Sequence, residues 1–323
     1  MKQPKPVRCP YLLLYFSFSN FQIHKFSNWL SLIFKLYSYF WPIMPEENIS
    51  GTHSILVEQS VIESFFLDRE VTIDAYLPEN IGRPAELELL LINDGQDLPK
   101  MPFTEILNNL INTNQIEPLI CIGIYCGPER TMEYGTAAEP NYEGWGIKAG
   151  LYTRFIFEEL LPFVRQKYNV PSFKEKSFAG FSLGALSALD IVWNNPQQFS
   201  KAGAFSGSFW WRSKGYGDDY NDDTDRIMHE QIKNGSYHPW LKFFFECGRL
   251  DETADRNNNG IIDSIDDTLD LMEQLVKLGY TSDQIEYEEL PRGRHDVPTW
   301  ASAFPAFLKW GWAAAKPTMD YVQ

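Results

Sequence analysis

Hydrophobic positions along the chain fall into short runs of two kinds. Seven runs are brief and rich in β-branched and aromatic residues, at 71–77, 87–92, 119–125, 177–181, 202–205, 243–247 and 285–290. Bounded by polar and turn residues, such runs predict β-strands. Within 87–92 and 119–125 nearly every position is apolar, the pattern of strands buried on both faces of a mostly parallel sheet. At 155–168, 183–194, 269–278 and 300–314 apolar residues instead recur at spacings of three and four, which predicts helices. Gly279 stands where the third of these should stop. Strands alternating with helices imply an α/β fold, with right-handed crossovers placing helices on both faces of the sheet. No internal repeat or low-complexity stretch interrupts it, and one domain suffices.

Residues 1–43 break this pattern, with five Lys or Arg, no Asp or Glu and twelve Phe, Tyr or Trp. Three readings stay open. The stretch is a secretory signal or membrane anchor, although Lys25 and Lys35 interrupt it, no A-x-A-like cleavage site follows and no uncharged run reaches the roughly 18 residues of a span. Alternatively it is an interfacial aromatic segment, or Met44 is the true start. The folded domain is therefore expected over 44–323, with 1–43 as a non-domain segment. A start at Met44 implies a cytoplasmic protein, and a working signal a periplasmic or secreted one.

Composition narrows the function classes. Of 323 residues 44% are hydrophobic and 22% charged, as in folded globular chains. With 28 basic against 43 acidic residues the net charge is −15, which repels phosphate backbones and argues against nucleic acid as a partner. Cys9, Cys121, Cys126 and Cys247 are scattered without C-x-x-C spacing, so neither a disulfide framework nor a zinc knuckle is expected. Nothing in the sequence fixes an oligomeric state.

Chemistry first appears at Gly180-Phe181-Ser182-Leu183-Gly184, a G-x-S-x-G string between a predicted strand and a predicted helix. Glycines there permit a sharp turn that thrusts Ser182 over the end of the sheet, and the amide of Leu183 at the helix N-terminus can bind a developing oxyanion. The plainer alternative is a tight turn whose serine caps the helix. An acid and a base should follow in that order, each after a later strand. Asp251 follows the strand at 243–247, with Glu252 beside it as an alternative acid, and His295 follows the strand at 285–290. His295 would take the proton of Ser182, and Asp251 would fix the imidazole tautomer. The loop Asn93-Asp94-Gly95-Gln96-Asp97 after the strand at 87–92 offers the amide of Gln96 as the second oxyanion donor.

These residues together resemble the esterase family of α/β-hydrolases that contains enterochelin (siderophore) esterases, esterase D, and feruloyl and acetyl xylan esterases. The likeness covers most of 71–312. Asp94-Gly95-Gln96 resembles the family's DGQ loop, and Arg130 with Glu133-Tyr134 its R-x-x-E-Y segment. Glu159-Leu160-Leu161-Pro162 is similar to its E-L-L-P helix, and Pro196 with Phe199 to its P-x-x-F turn. Ser206-Gly207-Ser208 with Trp210, and Gly293 to His295 with Trp300, resemble its later segments. The resemblance implies an α/β-hydrolase fold and a serine esterase acting on small-molecule esters, and does not select among carbohydrate, feruloyl and siderophore esters.

A second motif follows the acid. In the twelve residues 255–266, Asp255, Asn257, Asn259, Asp263 and Asp266 hold oxygen side chains at positions 1, 3, 5, 9 and 12, Gly260 stands at the sharp turn, and Ile261 would give its carbonyl. The spacing is that of a calcium loop, with Asp at position 12 as in dockerin modules. No incoming helix precedes it, so a structural Ca2+ stiffening the loop that presents Asp251 is expected, with no cofactor needed for catalysis. The alternative is a metal-free Asx-rich turn. The acidic run Asp218, Asp219, Asp222, Asp223 and Asp225 reads as a solvated insertion near the site. Trp145, Trp210 and Trp211 read either as an aromatic wall for substrate or as core. The sequence thus supports a serine carboxylic-ester hydrolase working through an acyl-enzyme. Its rival is a catalytically silent module of the same fold that recognises glycan or a partner.

Overall fold

Eight strands follow one another along the chain: β1 (Ile55–Ser64), β2 (Arg69–Pro78), β3 (Glu88–Asn93), β4 (Leu119–Ile124), β5 (Lys176–Phe181), β6 (Lys201–Phe205), β7 (Lys242–Leu250) and β8 (Ile285–Arg294). The computed structural model describes residues 54–79, 87–217 and 219–314. The expectations for 1–43 and for Asp218 lie outside the described residues. All eight strands join one sheet in the order β1-β2-β4-β3-β5-β6-β7-β8. β2 runs antiparallel to β1 and β4, and every pairing from β4 through β8 is parallel. This is the α/β-hydrolase fold.

Alternate residues of each central strand feed two cores. Leu89, Leu91, Ile120, Ile122, Phe178, Ala202, Phe243 and Phe245 face one side. There they meet α3 (Ala149–Arg154) with its continuation through the π-helical turn Phe155–Leu160 into α4 (Leu161–Lys167), α5 (Leu183–Asn194), α7 (Ile227–Lys233) and α8 (Asp263–Leu278). Leu90, Ile92, Cys121, Ala179, Phe181, Phe205 and Phe244 face the other, under α1 (Phe103–Asn112) and α9 (Val297–Trp312). Two-sided burial of β3 and β4 explains their unbroken apolar runs. After β3 the chain turns to α1 on one face, and after β5 to α5 on the other. The carboxyl ends of these neighbouring strands are therefore the point at which the chain divides between the two faces, the place where sheets of this kind bind ligands.

The structure adds elements that periodicity left out, among them the short helices α2 (Arg130–Glu133) and α6 (Asp222–Asp225). β1 is an edge strand paired only with β2, and its burial is intermittent, so it carries no apolar run. α1 buries Phe103, Leu107, Leu110 and Ile111, but three asparagines, poor helix formers, dilute its pattern. The helix expected at 155–168 begins earlier, at Ala149, and those expected at 269–278 and 300–314 begin at Asp263 and Val297. Gly279 ends α8 in the left-handed conformation, φ 112°. Among the described residues no helix is long and apolar enough to cross a membrane.

Candidate active site

At the junction of β5 and α5, Ser182 adopts φ 56° and ψ −122°, a backbone conformation that side chains other than hydrogen avoid. Its amide is tied to Phe205 O at 2.8 Å, and its hydroxyl does not cap the helix. Both neighbouring glycines have a steric reason. A Cβ on Gly180 would sit 2.3 Å from Gly184 O, and one on Gly184 would sit 2.5 Å from Asp94 Oδ2. The strained serine is thereby held in place from both sides.

The loop after β3 is locked to this turn. Asp94, itself at φ 58°, receives Arg130 through Nε and Nη2 at 2.7 and 2.8 Å, and Arg130 also donates to Phe181 O at 3.3 Å. Asn93 donates to Gly184 O at 2.8 Å and accepts from Tyr152 Oη at 2.5 Å. Gly95 packs against β4 so closely that a Cβ would lie 2.3 Å from Gly123 C. Gln96 accepts from the Cys126 amide at 3.1 Å. These contacts fix the backbone of Gln96 beside the elbow that carries Leu183. The R-x-x-E-Y segment proves to be a brace: beyond Arg130, Glu133 is fully buried and bidentate to Arg69 at 2.7 and 2.6 Å. Glu159 of the E-L-L-P helix anchors the turn after β1 by accepting from Ser64 Oγ at 2.6 Å and the Phe65 amide at 2.9 Å.

His295 lies between β8 and α9, and Asp251 in the loop leaving β7. Asp251 Oδ2 is 4.0 Å from His295 Nδ1, and the two side chains are 1% and 40% exposed respectively. Glu252 is engaged elsewhere, accepting from the Ser264 amide at 2.6 Å. Among the described residues Ser182 Oγ pairs with Ser208 Oγ at 3.5 Å, and no hydrogen bond joins it to His295. Such gaps are common in ligand-free sites and close in the substrate complex. Burial first of all pushes the His295 imidazole below its ordinary value, and the Arg130 charge adds to this while Asp251 opposes it. Burial thus favours the neutral ring, the form able to accept a proton. Trp300 packs edge-on to it at 5.4 Å and stacks on Phe181 at 4.9 Å.

Of the three tryptophans, one is resolved as core. Trp211 is fully buried, with Nε1 on Thr136 Oγ1 at 3.0 Å, so it is core. Trp145 and Trp210 are half-buried and meet edge to face at 6.3 Å. The insertion that follows is not simply solvated. Asp225 is buried and accepts from the Asn221 amide at 2.8 Å, Asp222 pairs with Arg256 at 3.0 Å, and the Arg212 guanidinium lies 3.7 Å from the centre of the Tyr216 ring.

In the loop at 255–266, Asp255 accepts from the amides of Asn259 and Gly260 at 3.1 and 3.0 Å. Asp266 Oδ2 gathers the carboxamides of Asn257 and Asn259 at 2.8 and 2.7 Å. Positions 1, 3, 5 and 12 therefore face a common centre, with Ile261 joined to Asn259 Oδ1 through its amide at 2.7 Å. Asp263 turns away, accepting from the Arg256 amide at 2.8 Å. Among the described residues no three His, Cys, Asp or Glu side chains cluster as a metal site. The Asn257 and Asn259 carboxamide oxygens accept from the amides of Asn259 and Ile261, and it is their Nδ2 groups that meet Asp266.

An α/β-hydrolase sheet with a serine elbow, an adjoining glycine loop and a histidine after the last strand defines a hydrolase class. The chain matches the model of the family described as putative esterase over residues 64–310, and belongs to that family; it is a carboxylic ester hydrolase. It is 22% identical over 251 residues to the uncharacterized protein YbbA of Bacillus subtilis strain 168, covering 76% of this chain and 92% of that one. Its fold is similar to the enterobactin esterase of Shigella flexneri, determined in the presence of enterobactin, with TM-score 0.61 and 20% identity over 83% of this chain and 61% of that one. The chain thus spans about three-fifths of the length of that esterase. It is similar as well to an IroE-like serine hydrolase from Shewanella oneidensis, with TM-score 0.58 and 18% identity over 79% of each chain.

Proposed function

We propose that the protein hydrolyses small soluble carboxylic esters, either carbohydrate and feruloyl esters or siderophore esters, through an acyl-enzyme on Ser182. The observation that carries this reading is the strained Ser182 at φ 56°, held over the sheet end with its hydroxyl left out of helix capping. His295, its neutral form favoured by burial, accepts the Ser182 proton as the hydroxyl oxygen attacks the ester carbonyl. The amides of Leu183 and Gln96 receive the oxyanion, and His295 returns the proton to the leaving alcohol. Water then attacks the acyl-enzyme by the same route. Asp251, nearly buried and facing His295, stabilises the imidazolium. Hydrolysis of short p-nitrophenyl esters, with Ser182→Ala in parallel, tests this. Turnover confined to the wild type is expected, whereas equal turnover by Ser182→Ala refutes the serine mechanism. A folded wild type inert toward p-nitrophenyl, feruloyl and siderophore esters alike points to the binding module.

We also infer that the loop at 255–266 binds Ca2+ through Asp255, Asn257, Asn259, Ile261 O and Asp266, with Asp263 released from Arg256. The ion's role is to stiffen the segment that leads from Asp251 into α8. Calcium should raise the melting temperature of the wild type, and Asp255→Ala should remove that response; no response in the wild type refutes the site.

A further inference from the structure

Behind the acid, β7 carries a second carboxyl that this mechanism does not use. Glu246 and Gly248 are two residues apart in β7 and so share one face, the one that carries Phe244 under α9. Asp251 lies over Gly248, where a Cβ would be 2.5 Å from Asp251 Oδ1. The Asp251 carboxyl, from the loop after β7, therefore lies over the same face of β7 that carries Glu246. Glu246 is 0% exposed, and none of the four carboxyl oxygens of Glu246 and Asp251 has a hydrogen-bond partner among the described residues. Above them stands Ser206, whose Oγ accepts from Trp300 Nε1 at 2.9 Å. Its own proton is then free to be given, and its hydroxyl faces both carboxyl groups without completing a hydrogen bond of good geometry to either.

Counting protons decides what this arrangement is. With both acids ionised, the buried space holds two negative charges, and the donors near them, the Ser206 hydroxyl and the backbone amides of Ser206 and Gly248, complete no hydrogen bond of good geometry to the four oxygens, a state that burial strongly disfavours. The other ionisable group facing Glu246 is Glu288, its register partner on β8, also acidic. Lys309 of α9 acts on Glu288, and Asp296 and His295 act on Asp251. One added proton removes a charge and supplies the missing donor.

We propose that Glu246 is a positioning residue: it keeps its proton at neutral pH and, with the Ser206 hydroxyl, supplies the hydrogen bonds that hold the ionised Asp251 toward His295. The inference rests on the reading of Asp251 and His295 as acid and base. Burial, then the charges of Asp251 and Glu288, push the Glu246 carboxyl up to about 8, in agreement with that assignment. Above that pH the donor disappears and a second charge enters the site.

Glu246→Gln keeps a donor and cannot ionise, and Glu246→Leu keeps volume and loses the donor. With short esters at pH 7, Glu246→Gln should retain kcat within about threefold and Glu246→Leu should lose at least about tenfold, with KM little changed in both. Above about pH 8 the wild-type rate should fall while that of Glu246→Gln holds. The infrared band of a protonated carboxylic acid should be present in Ser182→Ala at pH 7 and absent from Ser182→Ala with Glu246→Gln. If Glu246→Leu does not fold, the other two measurements suffice. Identical alkaline limbs in wild type and Glu246→Gln, or a band unchanged by Glu246→Gln, would overturn the proposal. The infrared comparison needs no turnover, so it stands apart from a failure of the serine mechanism, which shows itself as hydrolysis by Ser182→Ala.

Discussion

Replacing Gly184 with alanine tests whether the elbow and the loop after β3 act as one unit. The new Cβ would stand 2.5 Å from Asp94 Oδ2 and 3.0 Å from Asn93 Cβ. Relief requires the Asp94 carboxyl to retreat by roughly 1 Å, since non-bonded atoms separate to about 3.5 Å. It cannot do so alone, because both its oxygens are held by Arg130 at 2.7 and 2.8 Å and the residue is 2% exposed. Either the Asp94–Arg130 unit swings and carries Gln96 with it, or the start of α5 backs away with Leu183. Both movements part the amides of Leu183 and Gln96, the proposed oxyanion donors. Loss of one such donor costs roughly 10²–10³ in kcat, and overpacking costs about 1–3 kcal/mol of stability. For a domain of this size that stability loss lowers the melting point by roughly 2–10 °C. We expect Gly184→Ala to fall about 100-fold in kcat with KM changed only severalfold, measured on short p-nitrophenyl esters with Ser182→Ala as background. A variant that keeps kcat within about threefold would show that the loop after β3 supplies no donor, and would sink the assignment of Gln96.

Stability should carry the signature of Glu246 independently of activity. Its carboxyl lies at about 8 in the folded protein against an ordinary 4.5, so the folded state binds more protons between these values and loses stability as pH rises through that window. The slope is about 1.4 kcal/mol per pH unit, and Glu246→Gln should lack it. Urea unfolding at pH 5, 6.5 and 8 would expose a gain for the variant of several kcal/mol by pH 8, and parallel curves would refute the protonated state. Asp251→Asn should lower kcat by roughly 10³–10⁴, whereas Glu252→Gln should change it little because Glu252 serves the Ser264 amide; the reverse order would transfer the acid role. Glu133→Ala leaves Arg69 without its buried partner and should cost roughly 3–5 kcal/mol, read by denaturant unfolding. A loss under about 1 kcal/mol would mean that the brace is solvated.

What the sequence displayed and what it concealed follow the range of the forces involved. β3 and β4 were legible because burial on both faces demands apolar residues at every position. β1 escaped notice because an edge strand is buried at only some positions and admits Glu58, Gln59 and Ser60. The elbow was legible because its constraint is local: neither Gly180 nor Gly184 has room for a Cβ. Choosing between Asp251 and Glu252 was not local, since it turns on a contact between Glu252 and the start of α8. Trp211 could equally have walled a substrate site until Thr136, remote in sequence, was seen to hold its indole nitrogen.

Glu246 marks the boundary between these cases. The run Phe243-Phe244-Phe245-Glu246-Cys247 announces a buried strand with one misplaced charge. Local pattern can flag that charge but cannot explain it, because Ser206 comes from β6's end and Trp300 from α9. A solitary buried carboxylate would be a cost without return, and a buried carboxylic acid next to an ionised partner is a hydrogen-bond donor of fixed direction. The chain leaving β7 supplies that partner by folding Asp251 back over Gly248, a position with no side chain of its own. Gly248 cannot accept a Cβ without displacing Asp251 Oδ1 at 2.5 Å and Gly293 C at 2.4 Å, so one glycine sets the acid and the approach of the histidine loop together. The protonated carboxyl proposed in the strand and the glycine two residues later thus form a single device, and the acid they present is built from β7 outward.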